Sequence, residues 1–214
     1  MGKWDLPIVI DGIYYAAGLC AAGGIVAWLA GGWFSAPLWL LAAFCLYFFR
    51  DPERAVPAGD VAVSPADGKV VAVHADSPTV MRVSIFLNIF DVHVNRSPIA
   101  GKIAKAEYRK GRFHVASREV CSDENEQNVV TVAGHGTTVV FKQIAGLIAR
   151  RIVFSKEPGE AVTAGERIGL IKFGSRVDLL LGHEWEIVVR PGMRVSAGSS
   201  VIAHRTEGEA HNES

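Results

Sequence analysis

The stretch PGEAVTAGERI, residues 158–168, returns later in the chain as PGMRVSAGSSV, residues 191–201. Both copies run PG, two residues, valine, serine or threonine, AG, two residues and a β-branched residue. Pro-Gly and Ala-Gly are turn signals, and the valine between them suits a short strand. A turn–strand–turn unit that recurs inside one small domain points to a compact β-sandwich or barrel with pseudo-symmetry. The segments further out agree. Val61–Ser64, Lys69–His74 and Val80–Leu87 are short, rich in β-branched residues and bounded by turn formers. Val129–Val132 and Thr137–Phe141 flank Gly134-His135-Gly136, which reads as a hairpin turn. Gln143–Phe154 stays open between strand and helix, because a short apolar run does not fix a period. The polar end, Thr206–Ser214, reads as a frayed tail.

The N-terminal part follows a different rule. From Gly12 to Phe49 there is no formally charged residue, a run too long for the apolar core of a secretory signal. About 20 apolar residues cross a bilayer, so two passes are expected, Ile13–Ala30 and Phe34–Phe49, turning around Gly31, Gly32 and Pro37. Each is slightly short, which leaves a re-entrant hairpin open beside a full span. A hairpin buried in a soluble core is the alternative to membrane association. Trp4, Tyr14, Tyr15, Trp28, Trp33, Trp39 and Tyr47 supply aromatics for the interfaces. Lys3 before the hairpin and Arg50 and Arg54 after it suit two cytoplasmic ends at the cell membrane. The fold expected is mainly β (α+β): a compact β-sandwich or barrel-like catalytic domain behind an N-terminal hydrophobic helical hairpin. Residues 1–50 form the membrane-associated hairpin, 51–60 a Pro-containing linker, and 61–214 the catalytic domain.

Formal charge balances at zero, with 22 basic and 22 acidic residues, so the basic excess of a nucleic-acid binder is missing. Cys20 and Cys45 fall in the apolar hairpin and Cys121 stands alone. They make neither a disulfide framework nor a metal-ligand spacing. Gly-Ser occurs twice. Gly198-Ser199 occupies the turn of the repeat, whereas Gly174-Ser175 divides two apolar runs, Ile168–Phe173 and Val177–Leu181, that read as one strand. A glycine there marks a bulge or a close backbone approach.

Five blocks carry more information together than singly. They are Phe48-Phe-Arg-Asp-Pro-Glu-Arg54, Ser64-Pro-Ala-Asp-Gly68, Asn88-Ile-Phe-Asp-Val-His-Val-Asn-Arg-Ser-Pro98, Gln143-Ile-Ala-Gly-Leu-Ile-Ala-Arg-Arg-Ile152 and Gly165-Glu-Arg-Ile-Gly-Leu-Ile-Lys-Phe-Gly-Ser-Arg-Val-Asp178. In this order they resemble the phosphatidylserine decarboxylases, particularly the short bacterial and archaeal type. The resemblance implies a proenzyme that cuts itself between Gly174 and Ser175. Ser175 then becomes a covalent pyruvoyl group at the head of the smaller fragment, and neither pyridoxal phosphate nor a metal is needed. It implies decarboxylation of phosphatidylserine in the membrane through a Schiff base on that ketone. The expected assembly is a heterodimer of the two fragments, with a higher homo-oligomer left open, and nucleic acid is not a partner.

The same resemblance distributes roles. His93, in Phe90-Asp-Val-His-Val-Asn95, is the expected proton-transfer residue, since imidazole exchanges protons near neutrality. Asp67 is either a turn-forming aspartate or a carboxylate that orients a base near Ser175. Some members carry a second histidine three residues after the first; here that position is Arg96. The cleavage base is therefore His93 itself or another residue, with His114 and His135 lacking motif support. Arg96 and Arg150 are candidates for the lipid phosphate, which a guanidinium fork suits; Lys172 and Arg176 flank the cut. Two rivals remain. A biotinyl- or lipoyl-type carrier would explain the repeats but needs an exposed lysine beside methionine, and Met1, Met81 and Met193 have no lysine neighbour. A pyruvoyl enzyme for a soluble amino acid would leave the apolar hairpin without a purpose.

Overall fold

The computed structural model describes residues 7–114, 121–134, 136–147, 151–172 and 174–206. The chain forms two compact units, Met1–Glu53 and Arg54–Ser214.

The first unit is a helical hairpin, α1 (Ile10–Ala30) and α2 (Gly32–Phe48). The turn is at Gly31 alone, and Pro37 lies inside α2 rather than in the turn. Helix α1 starts at Ile10, earlier than the sequence suggested, with Asp11 in its first turn, where a carboxylate complements the helix dipole. The open end is closed by Val9 N–H donating to Phe49 O (2.8 Å) and Asp51 N–H donating to Pro7 O (2.6 Å). Trp28, Leu29, Trp33, Phe34 and Leu40 are exposed. A helix that is apolar all round yet little buried calls for an apolar surrounding. With 21 residues α1 is long and apolar enough to cross a bilayer, while α2, with 17, is shorter.

The second unit is mainly β, as expected. It comprises β1 (Val61–Val63), β2 (Gly68–Ser77), β3 (Val80–Leu87), β4 (Val94–Arg96), β5 (Gly101–Arg109), the short α3 (Cys121–Glu124), β6 (Gln127–Gly134) and β7 (Thr137–Ala145). There follow β8 (Arg151–Phe154), β9 (Ala161–Val162), β10 (Arg167–Lys172), β11 (Ser175–Gly182), β12 (Trp185–Ile187), β13 (Arg194–Val195) and β14 (Val201–Arg205). Among the described residues these pair into a curled sheet of order β13-β2-β3-β11-β7-β6-β5-β9 and two small sheets, β1-β14-β12 and β4-β10-β8. The ambiguous 143–154 region is strand at both ends. Alternate residues of the central strands, among them Val83, Ile85 and Leu87, Val177, Leu179 and Leu181, and Val139 and Phe141, fill one core. Full burial of each such side chain stabilises by about 1.5–3 kcal/mol.

The two repeats meet. Gly165 and Gly198 both have positive φ, 73° and 74°, and a Cβ on either would lie 3.3–3.5 Å from the other's Cα. The surrounding bonds also come in matched pairs. Gly165 N–H donates to Ser97 O and Gly198 N–H to Ser64 O, both at 2.8 Å. Arg96 N–H donates to Pro65 O while Val63 N–H donates to Pro98 O. Gly159 N–H reaches Ile103 O, and Gly192 N–H reaches Val70 O. Ser97 Oγ donates to Ile99 O as Ser64 Oγ does to Ala66 O. One sequence offset relates every pair, as a twofold axis through the contact of the two glycine turns requires.

The stretch 51–60, read as a linker, is not a free one. Arg54 reaches Asp67 with Nη2 at 3.0 and 2.8 Å from its two carboxylate oxygens, and Val56 occupies the space that a side chain on Gly165 would need.

Candidate active site

Gly174-Ser175 is where the chain changes sheets. Strand β10 belongs to the small sheet and β11 to the middle of the large one, so the two apolar runs are two strands rather than one interrupted strand. Gly174 has φ 56°, a left-handed conformation that an L side chain would strain. Ser175 begins β11 directly between Leu87 of β3 and Ala145 of β7. Its hydroxyl is buried and has no hydrogen-bond partner among the described residues. An unpaired buried hydroxyl costs about 1–3 kcal/mol, so its retention here calls for a reason.

His93 comes to this junction on the neighbouring ladder. It precedes β4, which pairs with β10, and its carbonyl accepts Ile171 N–H at 3.3 Å. The imidazole is fully buried. Nδ1 lies 2.9 Å from the Asp91 carbonyl oxygen, and a carbonyl can only accept, so Nδ1 carries a proton. Nε2 accepts the Gly174 N–H at 3.3 Å, so Nε2 carries a lone pair. Geometry thus fixes a neutral ring with its basic nitrogen on the junction.

What holds the two ladders in register is a chain of buried amides. Gln143 Nε2 donates to Asn95 Oδ1 (2.9 Å), and Asn128 Nδ2 donates to Gln143 Oε1 (3.0 Å). These bonds tie β4, and with it His93, to β7 and β6 of the large sheet. On the opposite face Arg176 is buried. Its Nε donates to Asp178 Oδ1 and its Nη2 to Ser84 Oγ, and Ser122 Oγ donates to Asp178 Oδ2, each at 2.6 Å. Arg176 is thus a buried structural cation beside the junction, and Lys172 is buried too.

The remaining expected residues separate. Asp67 is engaged by Arg54 and by Ala197 N–H at 2.8 Å; it staples the N-terminal strap and the second repeat together. Burial pushes its carboxyl above the ordinary range, while the Ala197 amide and the Arg54 guanidinium pull the other way. Arg96 is buried, with Nη1 donating to Gly165 O at 3.1 Å and its Cδ against Gly198. It lies where the two glycine turns meet. His114 pairs with Glu124 at 2.9 Å. Arg150 and His135 lie outside the described residues. Asp91 was passed over by sequence reasoning as a partner. Its carbonyl sets the His93 tautomer, and its carboxylate accepts Asn88 N–H (2.9 Å) and bonds Arg194. Both residues precede β4, outside any strand, and the bond to His93 comes from the Asp91 main chain, so no side-chain pattern signals it.

A serine hydroxyl buried at the start of a strand, with an imidazole bonded to the adjoining amide, is a pairing that belongs to the enzyme class. Comparison with known proteins gives that class a family. Residues 41–203 match the family model described as phosphatidylserine decarboxylase. A phosphatidylserine decarboxylase proenzyme of Solibacter usitatus is 70% identical over 202 residues, covering 94% of this chain and 98% of that protein. Proenzymes of the same description from Saccharopolyspora erythraea (46% identity, 77% of this chain and 74% of that one) and Magnetococcus marinus (44%, 85% and 86%) are also similar. The chain belongs to the phosphatidylserine decarboxylase family.

Proposed function

We propose that the chain decarboxylates phosphatidylserine to phosphatidylethanolamine with a pyruvoyl group that it makes from Ser175. The single observation that carries this reading is the Gly174 N–H donated to His93 Nε2 beside the buried, unpartnered Ser175 hydroxyl.

In the self-cleavage, Ser175 Oγ attacks the Gly174 carbonyl carbon and loses its proton, for which His93 is the nearby base. The Gly174–Ser175 C–N bond breaks as the nitrogen takes up a proton, and the peptide becomes an ester. Elimination across Cα–Cβ of residue 175 then frees the Gly174 carboxylate. Water replaces the nitrogen, which leaves as ammonia. The junction suits this path, because glycine has no side chain to obstruct the approaching hydroxyl.

The position between Leu87 and Ala145 fits a ketone, since the small polar group of Ser175 is already buried there without a hydrogen bond. The chemistry such a group supplies is an electron sink for the bond to carbon dioxide. His93 Nε2 then holds the proton destined for the α-carbon. Exposed Arg151, opposite Lys172 in the β8–β10 ladder, takes over the phosphate role expected of Arg96. Asp67 is a positioning residue in this scheme. The product is a heterodimer of the fragments ending at Gly174 and beginning at residue 175. The hairpin lies in the cell membrane with its ends at the cytoplasmic face, a placement supported by Lys3 and Arg50 at its flanks. A soluble amino acid as substrate is disfavoured by the exposed apolar α1.

The test is release of carbon dioxide and formation of phosphatidylethanolamine from phosphatidylserine vesicles. The wild-type chain is expected to produce both and Ser175→Ala neither. A wild-type preparation, cleaved yet inert on this lipid, contradicts the reading.

A further inference from the structure

Three of the large exposed apolar side chains of the second unit, Ile89, Phe90 and Leu147, lie at the end of the sheet that holds Ser175. Leu87 and Ala145 are the two cross-strand neighbours of Ser175, so they flank it at roughly 5 Å on either side. The chain leaves β3 through Asn88-Ile89-Phe90 and leaves β7 through Gly146-Leu147. Ile89 is 39% exposed, Phe90 60% and Leu147 56%. Two separate loops therefore present large apolar groups to solvent on opposite sides of one buried serine. The Phe90 loop is held firmly in this pose. Phe90 N–H donates to Asn88 Oδ1 (2.8 Å), Asn88 N–H donates to Asp91 Oδ2 (2.9 Å), and Arg194 bonds the same carboxylate.

Cations lie at the same end. Arg194 pairs in register with Lys69, and Lys69 with Phe86, one step from Leu87. Lys69 is exposed, and the Arg194 side chain is 63% exposed. Across the junction, exposed Arg151 lies opposite Lys172, the last residue of β10. An apolar rim set among Lys69, Arg151 and Arg194 matches an anionic lipid surface, with headgroups over the cations and side chains among the upper acyl carbons.

We propose that this rim, Ile89, Phe90 and Leu147, docks the catalytic unit directly on an anionic bilayer, so that Ser175 faces the headgroup layer. The inference rests on the lipid reading of the function, and it adds a second membrane contact that the helical hairpin does not supply. A serine buried between two strands can meet an amine that stays in the headgroup plane only if its own mouth abuts that plane. The rim brings the mouth there and leaves lateral diffusion of the lipid to deliver the substrate.

The full-length double variant Phe90→Ser, Leu147→Ser tests it on two substrates. One is phosphatidylserine in vesicles, and the other is a short-chain phosphatidylserine dissolved as monomers. On vesicles kcat/KM should fall roughly tenfold or more, the scale set by two lost apolar insertions, while turnover of the monomer stays within about twofold of wild type. Equal losses on both substrates, or none on vesicles, overturn the proposal. Wild type inert on both contradicts the functional reading instead, and a second measurement then keeps the docking claim testable. A nitroxide placed by Leu147→Cys, in the full chain with Cys20→Ala and Cys45→Ala, is examined in vesicles of phosphatidylcholine and phosphatidylglycerol. Relaxation by oxygen exceeding that by a nickel chelate supports docking. A water-like response overturns it, as does spin–spin broadening between labels, which would assign the rim to contact with a second copy.

Discussion

His93 Nε2 accepts the Gly174 N–H at 3.3 Å, while its Nδ1 donates to the Asp91 carbonyl at 2.9 Å. One neutral imidazole is thereby fastened to the main chain at both ends, with its lone pair on the residue that precedes the serine. No side-chain carboxylate is needed to set the tautomer, since the Asp91 carbonyl does so. In the proposed scheme Arg96 stands where some family members carry a second histidine, and His93 serves both the self-cleavage and the decarboxylation.

Replacing His93 by alanine should therefore affect two steps. Self-cleavage is expected to slow by about 10²–10⁴-fold, the usual worth of a positioned general base. The fraction that still cleaves should not decarboxylate. Time courses on denaturing gels report the first effect and carbon dioxide release from isolated cleaved material the second. Normal rates of both would remove His93 from the scheme.

Asp178→Ala should damage the fold. It strips Arg176 of a carboxylate that accepts from its Nε in a fully buried setting. Removing one partner of a buried pair typically costs about 3–5 kcal/mol, much of the stability of a domain this size. Lowered thermal stability and poor recovery of soluble catalytic unit are expected. Asp178→Asn, which keeps an acceptor for Ser122, should be milder.

Asp67 makes a prediction in pH. Its carboxyl is raised above its unfolded value by burial, so the folded state binds this proton more readily than the unfolded state. The sign follows: this group favours folding at the acidic end, and that contribution is lost as pH rises through the raised folded value. Thermal midpoints of wild type and Asp67→Asn, taken from mildly acidic to neutral pH, should show wild type losing ground relative to the variant as pH rises. The opposite slope would mean that the Arg54 pair outweighs the burial.

Much of this architecture could be read from residue order, and what could not has definite physical reasons. The repeated PG…AG units did mark the two turns, and those turns touch through Gly165 and Gly198. Their counterparts, Ser64-Pro-Ala-Asp-Gly-Lys-Val70 and Ser97-Pro-Ile-Ala-Gly-Lys-Ile103, share Ser-Pro, Gly-Lys and a β-branched residue at the same spacing, a second repeat that was missed. The sheet change at Gly174 was also hidden. An apolar strand looks the same whether it continues in one sheet or enters another, and only the partners of β10 and β11 tell them apart. The burial of Arg96 was hidden because a charge at a strand end ordinarily faces water, and both glycine turns together enclose it. Asp67 looked free to orient a base because Ala197, which holds it, lies far along the chain. That Gly174, Ser175 and His93 come together in the fold agrees with their selection from local, distinctive motifs.

The central claim is that this chain makes its reactive group from Ser175, and an intact-mass spectrum of the purified, denatured protein tests it most directly. Two fragments are expected. The larger should end at Gly174 with an ordinary carboxylate, and the smaller should equal the encoded 175–214 sequence less the mass of one ammonia. Ser175→Ala should give one uncut chain. A wild-type preparation that is fully active on phosphatidylserine yet runs as a single uncut chain, or whose smaller fragment retains an amino-terminal serine, would contradict the account.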